Sequence, residues 1–204
     1  MFRILDSPNN PSACLAQGPR LLLRHLGRSD LKRIKLWFRN LELVKLAFGV
    51  DGSTDLLHRI ADEYYREIFW WQKNAVAVDL TDGECIGFCR YTIRDDYETF
   101  AKVGILIGEP DYWSHGYGTE AMFLLLGYLF ERRQVKRVEL DTADFNLRAQ
   151  RSFEKCGFHT IGTSTEVNFL DGRTSQKIWM SIGSERYRQL VLDCCPSAAG
   201  DANT

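Results

Sequence analysis

The sequence predicts an α/β protein on a mixed, mostly antiparallel seven-stranded sheet with helices on both faces. Two Asp-Gly turn signals, Asp82-Gly83 and Asp171-Gly172, each separate short strand-like runs and predict hairpins. Between them, strand-like runs alternate with helical stripes, the pattern of crossovers that make strands parallel.

Residues 1–19 carry Pro8, Pro11 and Pro19 and read as an extended lead-in rather than structure. A strand follows at 21–26. Ser29 or Asp30 caps a helix reaching about residue 40, with Leu31, Ile34 and Phe38 on one stripe. After a loop at 51–54, Leu57, Ile60, Ala61, Tyr64 and Ile68 mark a helix over 55–70. Strands are expected at 75–80, 85–93 and 100–108, a helix at 116–132, a strand at 135–140 and a helix at 147–156. Strands at 160–169 and 175–182 flank the second Asp-Gly turn, and residues 187–195 suit a helical turn or two. The domain is bounded at 20–183, with 184–204 as a C-terminal extension whose end is frayed. The helices or the last strands offer faces for a homodimer.

Composition narrows the function. The 204 residues hold 26 Lys+Arg against 27 Asp+Glu, with 45% hydrophobic residues. That apolar share and a net charge of -1 exclude intrinsic disorder and argue against a nucleic-acid partner. The longest apolar run, 121–130, is about half of the ~20 residues a membrane span needs. Asp6, Asn9, Asn10 and Pro11 interrupt any signal-peptide core, so a cytoplasmic, membrane-free protein is expected. The six cysteines include no C-x-x-C pair, which predicts free thiols and no metal. Cys85 and Cys89, four apart in a strand, are expected on one face.

The chemistry concentrates in one stretch, where the apolar run 103–108 leads through a turn into Gly116-Tyr117-Gly118 and a helix. Glycines at a helix N-terminus offer free backbone N–H groups, backed by the helix dipole, to an anion such as phosphate. The run Gly116-Tyr-Gly-Thr-Glu-Ala121 also fits a dinucleotide fingerprint, with Glu139 or Asp141 at the spacing of a ribose-binding carboxylate. Against it, Glu109 to His115 separate strand from glycines, and too little chain follows Asp141 for the second half of that fold.

A second motif, Asn146-Leu-Arg-Ala-Gln-Arg-Ser-Phe153, running to Cys156-Gly157-Phe158, opens a helix with Asn and closes it with Gly-Phe. In this order and spacing, the two motifs resemble those of the GNAT family of N-acetyltransferases. The Pro110-x-Tyr-Trp-x-x-Gly-x-Gly-Thr-Glu-Ala121 element resembles the ribosomal-protein N-terminal acetyltransferase branch. The resemblance spans about residues 21–182 and implies the acyl-CoA N-acyltransferase fold, with acetyl-CoA as cosubstrate.

It further implies that Leu106, Ile107 and Gly108 pair their backbone with the pantetheine arm. The amides of Ser114, His115, Gly116, Tyr117, Gly118 and Thr119 would hold pyrophosphate, and Asn146 would bond the pantetheine chain. Many members carry Gln or Arg where this chain has Trp113. Asp141 stands where relatives place a Glu that can act as base toward the acceptor amine. Phe153 replaces the family's acidic Tyr, leaving thiolate protonation to another group, to water, or to an unassisted departure. That departure motivates an alternative, a non-catalytic acyl-CoA-binding or sensor protein. The acceptor is expected to be an amine-bearing peptide or small molecule: a protein N-terminus, a polyamine or an aminoglycoside. Asp62, Glu63, Glu67, Tyr64, Tyr65, Trp70 and Trp71 could form an acidic, aromatic groove for it, or simply divide between core and solvent.

Overall fold

The computed structural model describes residues 3–4, 14–48, 53–70, 75–95, 99–167 and 174–194. The strands are β1 (Arg3–Ile4), β2 (Cys14–Gln17), β3 (Leu21–His25), β4 (Ala75–Leu80), β5 (Cys85–Asp95), β6 (Thr99–Ile107), β7 (Arg137–Ala143), β8 (His159–Val167) and β9 (Thr174–Gly183). They form one sheet in the order β1-β2-β3-β4-β5-β6-β7-β9-β8. Among the described strands only β6 and β7, joined by a crossover helix, run parallel.

The helices are α1 (Asp30–Trp37), α2 (Leu41–Phe48), α3 (Thr54–Trp70), α4 (Tyr117–Gly127), α5 (Leu147–Lys155) and α6 (Ser184–Cys194). A π-turn at Tyr128–Arg132 extends α4. Helices α1–α3 cover one face of the sheet through Leu31, Ile34, Trp37, Val44 and Leu57, over Ala75, Ala77 and Phe88. On the other face α4 sets Met122 and Leu125 against Val76, Val78, Val103 and Leu140. Strand β4 lies between both layers, burying Val76 and Val78 toward α4 and Ala75 and Ala77 toward α1–α3.

Four expectations are corrected. The sheet has nine described strands, not seven, because Arg3–Ile4 and Cys14–Gln17, within the supposed lead-in, pair as β1 and β2. Leu15 and Ala16 are buried there, so apolar burial outweighs the nearby prolines. The helix expected to reach about residue 40 ends at Trp37, and an unexpected second helix follows, with Asn40 Oδ1 accepting the amides of Glu42 and Leu43 at 3.1 and 3.2 Å to start α2. Finally, Cys85 and Cys89 face opposite layers. Val78 pairs with Gly87 and Asp79 with Cys85, so β5 carries one extra residue. The bulge turns Cys85 toward α1–α3 and leaves Cys89 facing α4. The turn at 170–173 and the tail at 197–204 lie outside the described residues.

The β6–β7 pairing positions the site. It runs from Phe100–Arg137 to Lys102–Glu139 and stops there, although β6 continues to Ile107 and β7 to Ala143. An opening is left between two strands whose inward backbone groups have no ladder partner.

Candidate active site

Which backbone groups face that opening follows from alternation along β6. Gly108 N–H donates to Ile86 O on the β5 side at 2.9 Å, and Thr99 O accepts Lys136 N–H on the β7 side at 2.8 Å. Even-numbered residues therefore spend their backbone groups on β5, while Ile105 and Ile107 aim theirs into the opening. Of the three predicted residues, Ile107 alone is oriented for backbone pairing there. Leu106 belongs to the cavity wall, while Gly108 is not part of it.

A cavity of about 460 Å³ extends from the opening, with the start of α4, α5 and α2 as its other walls. The loop before α4 is tightly turned, with Ser114 at φ 64° and Gly116 at φ 83°. Gly116 is the N-cap of α4, and its carbonyl accepts Glu120 N–H at 3.0 Å. Ser114, Gly116, Gly118 and Thr119 line the cavity, joined by Asn146 and Phe153 from α5. The loop's other two predicted residues, His115 and Tyr117, are not among its walls.

Gly118 tests the fit of a ligand here. A Cβ at this position would meet nothing closer than Ile107 Cγ1 at 3.8 Å, and its φ is not positive. The fold therefore leaves room for a side chain that the sequence does not supply, beside free N–H groups at a helix start. Such a cradle fits a phosphate-bearing group. On the α5 side Arg148, Arg151 and Lys155 add a cationic edge at helical spacing.

Asn146 caps α5 by accepting Ala149 N–H at 3.2 Å, while its Nδ2 donates to Leu46 O of α2 at 3.2 Å. Both ends of its amide are thus engaged within the protein. Phe153 is buried against Phe158, ring centroids 6.0 Å apart, and brings no polar atom to the wall. Thr119 and Ser152 join α4 to α5 through a 2.8 Å hydroxyl pair.

Asp141 lies on β7 just past the last paired position, outside the cavity wall. It accepts from Lys102 at 2.8 Å and has Lys177 at 3.6 Å. Burial pushes its carboxyl up. The hydrogen bond and charge of Lys102, with the charges of Lys177 and Arg90, outweigh that and hold it below its ordinary value. Of the suggested acceptor groove, Asp62 and Glu63 are exposed and Tyr65 half-buried on α3. Trp71 and the side chains of Tyr64, Glu67 and Trp70 lie outside the described residues. No group of three His, Cys, Asp or Glu among the described residues could hold a metal ion.

The family model for the acetyltransferase (GNAT) domain matches residues 20–159, which include the opening, the glycine loop and α5. The chain belongs to the GNAT acetyltransferase family. It is 24% identical over 153 residues to the aminoglycoside N(6')-acetyltransferase type 1 of Klebsiella pneumoniae, covering 70% of this chain and 76% of that protein. The spermidine N-acetyltransferase of Vibrio cholerae, solved with CoA and spermine, matches with TM-score 0.67 and 23% identity over 84% of this chain and 99% of that one. A GNAT-family acetyltransferase of Bacillus anthracis matches with TM-score 0.65 and 17% identity, covering 83% and 98%.

Several residues of this GNAT cleft escaped the sequence reading. Ile105 needed the strand parity, and Leu43, Leu46 and Ala47 of α2 needed a helix not assigned beforehand. Trp113, noted only as a departure, donates its indole N–H to Ile107 O at 2.8 Å, and the Arg148 guanidinium stacks 4.2 Å above its ring. The three cations of α5 were legible in principle, since three- and four-residue spacing puts them on one face.

Proposed function

We propose that this GNAT acetyltransferase moves the acetyl group of acetyl-CoA to a primary amine by direct attack in a ternary complex. The observation that carries the reading is the interrupted β6–β7 ladder, which turns the Ile105 and Ile107 backbone into a cavity bounded by the Gly116–Thr119 helix start. When bound, acetyl-CoA supplies a thioester carbonyl as the electrophile. The Ile105 and Ile107 N–H groups are the donors available to the pantetheine arm and to charge on that carbonyl. The amides of residues 114–119 are assigned to pyrophosphate, with Gly118 keeping the main chain accessible. Asn146 holds the α5 and α2 walls around the arm. Asp141, ionised near neutrality, is assigned as acceptor of the amine's proton through water, since it stands off the cavity wall.

The glycine-loop element of residues 110–121 supports a place beside the ribosomal-protein N-terminal acetyltransferases, with a protein N-terminus as acceptor. The names of the aminoglycoside and spermidine relatives support small-molecule amines. All three amine classes enter the screen. The same proposal places the enzyme in the cytoplasm as a homodimer, for which the exposed edge strand β8 is a suitable face.

Calorimetric titration with acetyl-CoA, with NADH as control, tests the cleft, and thiol release with each amine class tests transfer. Absence of acetyl-CoA binding would sink the proposal. Binding without turnover on any amine would favour a non-catalytic acyl-CoA sensor, the alternative that proton-free Phe153 favours.

A further inference from the structure

We propose that Arg20, in the turn between β2 and β3, is a positioning residue for the pyrophosphate loop, a role that rests on the acetyl-CoA reading above. Residues 109–119 contain Glu109 and Asp111 but no Lys or Arg. The next turn of chain adds Glu120, in the first turn of α4. A loop assigned to a doubly charged group therefore carries three carboxylates of its own, which oppose it unless neutralised.

Glu109 is paired with Arg33 at 2.9 Å. Glu120 is neutralised by Arg20, about a hundred residues away in sequence. Arg20 Nε donates to Glu120 Oε2 at 2.7 Å and its backbone N–H to Oε1 at 2.9 Å. The β2–β3 turn packs directly on this carboxylate, since a Cβ on Gly18 would come within 2.7 Å of Glu120 Oε1. The guanidinium also lies 4.3 Å over the Tyr117 ring, and these contacts fix a side chain that would otherwise sample many rotamers.

The fourth contact gives the fixed cation its effect. Arg20 Nη1 donates to His115 O at 3.0 Å. In a trans peptide the C=O and the following N–H point in opposite directions, so this bond turns the Gly116 N–H away from Arg20. Gly116 lines the cavity and Arg20 does not. Arg20 thus works from behind the loop, holding one peptide with its donor forward and cancelling the Glu120 charge.

The experiment compares acetyl-CoA, which has the pyrophosphate, with S-acetylpantetheine, which lacks it. Arg20→Gln should raise the acetyl-CoA Kd in calorimetry about tenfold, the order of one charged hydrogen bond. Binding of S-acetylpantetheine, followed by ligand-observed NMR, should not change. Arg20→Lys should recover part of the loss, and adding Glu120→Gln to Arg20→Gln should recover the electrostatic part. An acetyl-CoA Kd within about twofold of the unsubstituted protein overturns the assignment. An equal loss for both ligands also overturns it, because Arg20 would then only support the fold. If the unsubstituted protein binds no acetyl-CoA, the cofactor reading fails and this one with it; binding there with an unaffected variant removes Arg20 alone.

Discussion

The indole of Trp37 fills the space that a side chain on Gly108 would need, and its Nε1 donates to Glu109 Oε1 at 2.9 Å. The end of β6 is thereby clamped to α1 at the two residues that follow its last position, Ile107, next to the opening. Arg33 reinforces the clamp by bonding Glu109 and Glu84 from the same helix. Gly108 is a glycine because of packing, and Gly118 is a glycine without a packing reason.

That contrast predicts opposite phenotypes. Gly108→Ala drives a methyl into the Trp37 ring and should destabilise the fold by about 1–3 kcal/mol, read as a lower urea midpoint. Gly118→Ala makes only ordinary van der Waals contacts, with Ile107 and Ser152, and should leave the midpoint unchanged or slightly raised, since Ala is the better helix former. Its acetyl-CoA affinity should fall in calorimetry because the methyl occupies ligand space. An unstable Gly118→Ala protein, or one with unaltered affinity, would contradict the assignment of that space.

The Asp141 carboxyl is held low, so it is ionised across the working range and adds no inflection to kcat/KM between about pH 5 and 9. The ascending limb should follow deprotonation of the acceptor amine, and Asp141→Asn should lower turnover far more than acetyl-CoA affinity. A carboxyl with a depressed folded pKa stabilises the fold above its unfolded value, and that stability fades as pH falls through the folded one. The stability gap between the native protein and Asp141→Asn should therefore be full at pH 7 and shrink below about pH 4 in acid titration of the melting temperature. A gap that widened toward acid would contradict the Lys102 pairing.

Much of the fold was legible because element type follows local signals: β4 and the start of α5 fall where the Asp82-Gly83 turn and an Asn cap place them. The bulge beside Cys85 was not, because one inserted residue is a property of the β4–β5 pairing rather than of either strand. The cofactor side of the site was legible through its two motifs. Its geometry was not: the motif marks Leu106 to Gly108 alike, and only the register with β5 reveals that Ile105 and Ile107 face the opening. Arg20 carried no local signal, since its partners His115 and Glu120 are brought to it by the sheet.

Asn146 performs two tasks that one substitution separates. Asn146→Asp keeps an oxygen for the Ala149 amide but replaces the donor that faces Leu46 O with a second acceptor. Helix α5 should stay capped, with a change in melting temperature smaller than for Asn146→Ala, where loss of the cap costs about 1 kcal/mol. Helix α2, no longer tethered, should show faster amide hydrogen exchange over residues 41–48. Unchanged exchange there would mean that the Leu46 contact does not hold the helix.

Phe153 sets the last prediction. Its ring is part of the cavity wall and is backed by Phe158, so Phe153→Tyr adds one hydroxyl without removing a contact. A thiol leaving group has a pKa of about 8.5, so near neutrality its departure gains from a proton, and above that value the thiolate is stable in solution. A tyrosine hydroxyl, pKa about 10, can donate that proton at pH 6–7. Phe153→Tyr should therefore raise thiol release severalfold at pH 6, with the gain vanishing by pH 9, while acetyl-CoA affinity stays the same. A flat ratio of variant to native rates across that range would mean that water or another group already protonates the sulfur, or that thiolate departure does not limit turnover.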